Sequence, residues 1–212
     1  MASDMDTASW DRRYEGRELI WTAEPNRFLV AETEALAPGR AIDLACGEGR
    51  NAVWLAERGW QAVGADFSEV GLQKARELAN TRGVNVEWVA ADLLDYRPDP
   101  RAFDLVLVFY LHVLAAERRP IIQAAAEAVA PGGTFLLVAH DSSNLQHGHG
   151  GPQNSAVLYT ARDVVTDIAG RGLQIERAER VERPVQTPDG ERLALDALVR
   201  ARRPELPPQA ST

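Results

Sequence analysis

Three aspartates recur near the ends of successive apolar runs: Asp43 in AIDLACG, Asp66 in QAVGAD and Asp92 in WVAAD. Between the first two lies GEGRNA, Gly47 to Ala52, which fits the G-x-G-x-x-G/A spacing of a strand-to-helix turn. Such a turn lets the main chain approach a ligand and points free helix amides at it. A carboxylate inside the first strand can meet an ammonium group. One at the end of the second can take ribose hydroxyls, and Asp92 can accept from the exocyclic amine of an adenine. A second set of groups follows the later runs: Tyr110 and His112 in FYLHV, His140 and Asp141 in VAHD, and the loop SSNLQHGHGGPQN with His147 and His149. The candidate catalytic groups are His112, placed first as a general base, then Tyr14 and His140.

The glycine turn has two readings. In a dinucleotide site the helix opening near Arg50 directs its amides at a pyrophosphate and Asp66 takes the ribose. Asp43 argues against this, because a strand leading into a pyrophosphate turn usually stays apolar. A ligand that uses all three acids carries an amino group, a ribose diol and an adenine, and S-adenosylmethionine has those groups. No second domain follows for a reducible substrate. The histidines of the loop are loosely spaced and have no cysteine beside them, so no metal is expected. That loop reads instead as a mobile lid over the acceptor.

The elements that must position these groups follow from periodicity. Apolar runs at 41–46, 61–66, 86–92, 103–110 and 133–140 alternate with helical patterns at 51–58, 69–82 and 117–129, which predicts a parallel sheet. Ser68 is placed to cap the second of these helices, and Pro131, Gly132 and Gly133 to end the third. Thr160 and Asp163 have capping-box spacing for a further helix. Alternating residues at 173–185 and 193–202 around TPDG, Thr187 to Gly190, predict an antiparallel hairpin. The fold class is therefore α/β: a Rossmann-like, seven-stranded, mostly parallel sheet flanked by helices, with a C-terminal antiparallel hairpin. Upstream, Trp10, Tyr14, Trp21 and Phe28 suit either a helix that caps the sheet edge or a lid over the ligand, with Pro25 in the first turn of a helix.

DLACGEGRNA, GADFS, AADL and FDLVLVFYLHV resemble the successive motifs of class I S-adenosylmethionine-dependent methyltransferases, over roughly residues 10–202. WDRRY and GEGRNAVWLAERG resemble the small-molecule branch that includes tellurite-resistance and thiopurine-type enzymes. The resemblance implies that Gly47 and Gly49 let the backbone approach the methionine part of S-adenosylmethionine. It also implies that Asp43 helps hold the amino end, Asp66 the ribose, and Asp92 with Leu93 the adenine. Phe67 would pack on the adenine and Phe109 near the methionine part.

Composition narrows the partners. With 212 residues, 45% hydrophobic, the chain can bury one core, and a net charge of −8 leaves no cationic surplus for nucleic acid or an anionic membrane. Arg12 with Arg13, and Arg200, Arg202 and Arg203, read as solvated faces. The single cysteine, Cys46, suits a reducing compartment, and the cytoplasm is the expected location. The expected domains are an N-terminal cap or lid segment at 1–36, a methyltransferase domain at 37–203 and a disordered tail at 204–212. FYLHV lacks the Asn/Asp-Pro-Pro-aromatic sequence used on nucleobase amines, and Cys46 sits in the cofactor turn rather than where a nucleophile would stand. The expected acceptor is therefore a small molecule: a thiol, phenol, heterocyclic nitrogen or metalloid oxyanion. Two alternatives remain open, an NAD(P)-dependent oxidoreductase and a non-catalytic cofactor-binding regulator.

Overall fold

A computed structural model describes residues 7–14, 16, 19 and 22–205. Trp21 and the end of the expected tail lie outside the described residues. Seven strands form one sheet in the order β3-β2-β1-β4-β5-β7-β6. They are β1 (Arg40–Leu44), β2 (Gln61–Asp66), β3 (Glu87–Ala90), β4 (Phe103–Phe109), β5 (Val129–His140), β6 (Gln174–Thr187) and β7 (Gly190–Arg202). The first five are parallel, while β7 pairs antiparallel with both β5 and β6. The chain winds outward from β1 to β3, then returns to β4 on the other side of β1. That reversal opens a crevice at the carboxyl ends of β1 and β4, where open α/β sheets bind ligands.

Period-2 alternation sends side chains to both faces of this sheet. Ile42, Val106, Val108, Phe135 and Leu137 join one core with Ile121, Ile122 and Val164, from helices α5 (Ala115–Ala128) and α7 (Ala161–Asp167). Ala41, Leu105, Leu107, Leu136 and Val138 join the other with Leu29 and Leu55, from α2 (Arg27–Thr33) and α3 (Arg50–Glu57). Since successive strand residues face opposite ways, Asp43 falls on the α3 side with Ala41.

The predicted caps are present. Ser68 Oγ accepts from Gly71 N at the start of α4 (Glu69–Arg82), and Thr160 and Asp163 form the reciprocal capping box of α7. Other local expectations need correction. Asn26, not Pro25, opens α2: its side chain accepts the Phe28 amide, and Pro25 stands before the cap. Helix α5 ends at Ala128, and Pro131-Gly132-Gly133 lies within β5 as an irregularity, where pairing with β4 shifts between Phe103 and Leu105. The loop after Asp141 is not structureless, for it carries the short helix α6 (Asn144–His147) and a 3-10 turn (Ser155–Val157). Asn144 fixes it, accepting from Leu195 N in β7 and donating to the Gly150 carbonyl. Arg203 is buried rather than solvated and donates to the carbonyls of Val129, Ala126 and Arg171.

Candidate active site

At the crevice lies a cavity of about 330 Å³, small for a ligand site but within their usual range. Its wall gathers residues from distant parts of the chain: Trp10 and Tyr14 from α1 (Thr7–Tyr14), Gly47 and Arg50 from the glycine turn, Asp66 and Phe67 after β2, and Phe109, Tyr110 and His112 after β4. His140 from β5 and Arg183 from β6 close the far side.

The glycine turn is built by left-handed backbone. Ala45, Gly47 and Gly49 have φ of 62°, 53° and 78°, and Gly49 is the N-cap of α3. Asp66 ties this turn to the next element: Oδ2 accepts Gly47 N at 2.8 Å and Oδ1 accepts Ser68 N at 2.9 Å. A carboxylate has about four acceptor positions, so two remain for ligand hydroxyls. Burial raises the Asp66 pKa, an effect partly opposed by these two backbone hydrogen bonds.

Asp43 is deeply buried beneath the turn, and neither of its oxygens has a hydrogen-bond partner. Burial, reinforced by the charge of Asp66 and opposed by Arg50, raises its pKa to about 7. Two carboxylates thus underlie the turn, an arrangement that suits a cation above it and opposes a pyrophosphate. Arg50 supplies a positive wall beside them.

The two turn glycines serve different ends. A Cβ at Gly47 would lie 2.8 Å from the Tyr14 hydroxyl, on the side that α1 covers. A Cβ at Gly49 would lie 2.5 Å from Trp88 Cη2 and 2.6 Å from Ala75 Cβ, behind the turn. Gly49 is therefore required for packing on Trp88 rather than for approach to a ligand, which corrects the expectation for that residue. Helix α1 is tied to the start of α4 by a hydrogen bond from Ser68 Oγ to Asp11, and Trp10 stacks on Tyr14 within it, with ring centroids 5.6 Å apart.

Of the expected site residues, Tyr14, Gly47, Asp66, Phe67, Phe109, His112 and His140 line one cavity. Asp43 lies beneath it. Asp92 and Leu93 are not brought in: Asp92 is exposed and its Oδ1 accepts Leu94 N at 2.9 Å, while Leu93 turns into the core. The local turn after β3 takes up the carboxylate that the adenine was expected to use. His147 and His149 are exposed and absent from the cavity wall, and no metal-ligating group of three is found among the described residues.

At the acceptor end is a constellation that periodicity did not reveal. Asp196, fully buried on β7, accepts at Oδ2 from the Tyr110 hydroxyl at 2.9 Å and from Arg183 Nε at 2.7 Å. Its Oδ1 lies 3.1 Å from His140 Nδ1, at ion-pair distance though out of line for a straight hydrogen bond. Neither atom has another partner among the described residues, so the contact assigns them to each other. Burial alone would raise the Asp196 pKa, but the nearby His140 and the hydrogen-bonded, positively charged Arg183 more than offset it and hold the carboxylate below its ordinary value. Tyr110 takes a left-handed φ of 54°, rare for an aromatic residue, and Asn26 donates to its hydroxyl at 3.3 Å. The rings of His112 and His140 stack, with centroids 5.5 Å apart and planes 9° from parallel. Asp196 had one signal in the sequence: it is the lone acid in the apolar run LALDALV.

Residues 41–133 match the family described as Methyltransferase domain. Over 117 residues the chain is 32% identical to a 2-heptyl-1-hydroxyquinolin-4(1H)-one methyltransferase of Mycobacteroides abscessus, covering 54% of this chain and 52% of that protein. It spans about half the length of the first curated relatives it matches. A thiocyanate methyltransferase of Brassica oleracea is 25% identical over 81% of this chain and 77% of its own. A tRNA 5-carboxymethoxyuridine methyltransferase of Escherichia coli also matches, 29% identical over 50% of this chain and 42% of its own. In fold, the chain is similar to the N-methyltransferase NodS of Bradyrhizobium japonicum, solved with S-adenosyl-L-homocysteine. The TM-score is 0.70 with 20% identity, over 94% of this chain and 98% of that one. Its strand order and glycine turn give the chain the Rossmann-like methyltransferase fold, and residues 41–133 match a methyltransferase domain.

Proposed function

We propose that the chain transfers a methyl group from S-adenosylmethionine to a small-molecule acceptor bound in the cavity beyond Phe109. One observation carries this reading: the two buried carboxylates, Asp43 and Asp66, beneath and beside the glycine turn. Asp43 has two buried oxygens without hydrogen-bond partners and a raised pKa that Arg50 only partly opposes, and an ammonium group nearby would add positive charge beside it. Asp66 retains acceptor positions for a ribose diol, and Arg50 offers a guanidinium to the carboxylate of the methionine part. Phe67 supplies an apolar face for the adenine. The donor contributes a methyl group already activated by its sulfonium charge. The protein's work is to align the acceptor with it and to exclude water, and alignment can be worth roughly 7 to 11 kcal/mol of barrier. Helix α1, through Trp10 and Tyr14, is the cover that excludes water.

The cavity size and the net charge of −8 favour a small acceptor over nucleic acid. Relatives named for a hydroxyquinolone and for thiocyanate, matched over 54% and 81% of this chain, fit that class; the tRNA relative, matched over 50%, does not. Among the described residues no helix is long and apolar enough to cross a membrane. The test is transfer of labelled methyl from S-adenosylmethionine to a panel of thiols, phenols, heterocycles and metalloid oxyanions. Turnover of any member supports the reading. Binding of S-adenosylhomocysteine with no turnover across the panel favours a non-catalytic regulator.

A further inference from the structure

Resting on that reading, we propose that His140 is the general base of the reaction, positioned by Asp196, and that the acceptor is an aromatic or heteroaromatic hydroxyl which arrives protonated. Three observations converge on His140. First, its Nδ1 lies 3.1 Å from Asp196 Oδ1, at ion-pair distance, and neither buried atom has a hydrogen-bond partner elsewhere among the described residues. A carboxylate on Nδ1 sets the tautomer that leaves Nε2 bare, and it steadies the imidazolium that forms when a proton is taken. Second, His140 lines the cavity, and no protein group hydrogen-bonds Nε2 among the described residues, so that nitrogen is left for a ligand. Third, the loop is shaped to the ring: Gly151 has φ of 77°, and a Cβ there would lie 2.8 to 2.9 Å from His140 Cδ2, Cγ and Nε2.

The ring of His112 stacks on that of His140 and shields one face of the base. The charged and titratable groups around His140 are Tyr110 and His112 at the end of β4, Arg183 on β6, Asp196 on β7, and Asp141 next in the chain. Arg183 neutralises Asp196 in part, and Tyr110 fills its remaining lone pairs, so the carboxylate stays ionised while fully buried. A buried carboxylate that accepts from Tyr110 and Arg183 and faces His140 at ion-pair distance is costly to assemble without a task.

The aromatic character of the acceptor follows from the wall. Phe109, Tyr110, His112, Trp10 and Tyr14 all line the cavity, and a wall so rich in rings suits a flat apolar molecule beside the donor. In the step, the acceptor hydroxyl gives its proton to His140 Nε2. Its oxygen lone pair forms the bond to the methyl carbon, and the carbon–sulfur bonding pair leaves with sulfur. The products are the methyl ether, S-adenosylhomocysteine and a proton on His140 that later passes to water.

The test compares a phenol that must lose a proton with thiocyanate, which has none to lose. His140→Gln should lower kcat on phenol at least 100-fold more than on thiocyanate, and Asp196→Asn should lower it in the same sense by roughly tenfold. In both variants the acid limb of the phenol pH–rate profile should move or vanish. Calorimetry with S-adenosylhomocysteine tells the two failures apart. No binding to the wild-type protein rejects the cofactor reading itself, whereas binding with turnover of thiocyanate alone, or of no phenol, rejects only the base and the acceptor class. Equal losses on both acceptors overturn the proposal as well. A measurement independent of turnover is the nitrogen-15 spectrum of the wild-type histidines with S-adenosylhomocysteine bound. Neutral His140 should carry its proton on Nδ1, and Asp196→Asn should lose that bias. A proton found on Nε2 in the wild type overturns the assignment.

Discussion

Asp66 accepts the Gly47 amide on one carboxylate oxygen and the Ser68 amide on the other, so a single side chain joins the glycine turn to the start of α4. The same group faces the cavity. Structural and binding roles therefore coincide in one residue. Asp66→Ala should weaken S-adenosylhomocysteine binding about 10- to 100-fold, the effect of losing about 1.5 to 3 kcal/mol of hydrogen bonding to a charged group. Calorimetry on a variant with native circular dichroism measures this; unchanged affinity would remove Asp66 from the site.

Gly49 stands against Trp88 with no room for a methyl group, and its φ of 78° strains any other residue. Gly49→Ala should destabilise the protein by about 1 to 3 kcal/mol, read as a lower urea midpoint. Truncating the neighbour, as Trp88→Leu, should recover part of the loss in the double variant. Simple additivity of the two would contradict the packing role.

Asp43 makes stability depend on pH in a definite direction. Its pKa in the fold, about 7, exceeds the 3.8 of an exposed aspartate, so the folded state holds the proton more tightly. The stabilisation is complete below about pH 4 and is lost as pH rises toward 7, at up to about 1.4 kcal/mol per pH unit. Asp43→Asn should flatten that slope, whatever it does to absolute stability. Urea titrations of both proteins at pH 5 and pH 7.5 check this, and identical slopes would contradict it.

Asn26 accepts the Phe28 amide as the cap of α2 while its own amide nitrogen donates to Tyr110 Oη. Asn26→Ala should cost about 1 kcal/mol of stability through the cap. A midpoint indistinguishable from wild type in thermal unfolding would contradict that assignment.

Much of the sheet was legible because its signals are local. Alternating runs, the caps at Ser68 and Thr160, and the TPDG hairpin each act within a few residues, and the strands fell where periodicity placed them. The candidate cofactor residues Asp43, Gly47, Asp66 and Phe67 group together in the sequence for the same reason, since all lie within one strand-turn-helix-strand unit. At Asp92 the structure shows one carboxylate oxygen capping its own turn, which spacing alone does not reveal. Gly49 misled because the reason for a glycine there is Trp88, 39 positions away in the chain. The acceptor end was the least legible. Asp196, Arg183, Tyr110 and His140 come together only through antiparallel pairing of β7 with β5 and β6, and that register is fixed by the fold rather than by neighbours in sequence.

The central claim is that two buried carboxylates at the glycine turn select a cationic amino-acid nucleoside over a dinucleotide. Isothermal calorimetry of the full chain against S-adenosylhomocysteine and against NADH tests it most directly. The account predicts a micromolar or tighter isotherm with the former and no heat of binding with the latter. Saturable binding of NADH with none of S-adenosylhomocysteine would contradict it.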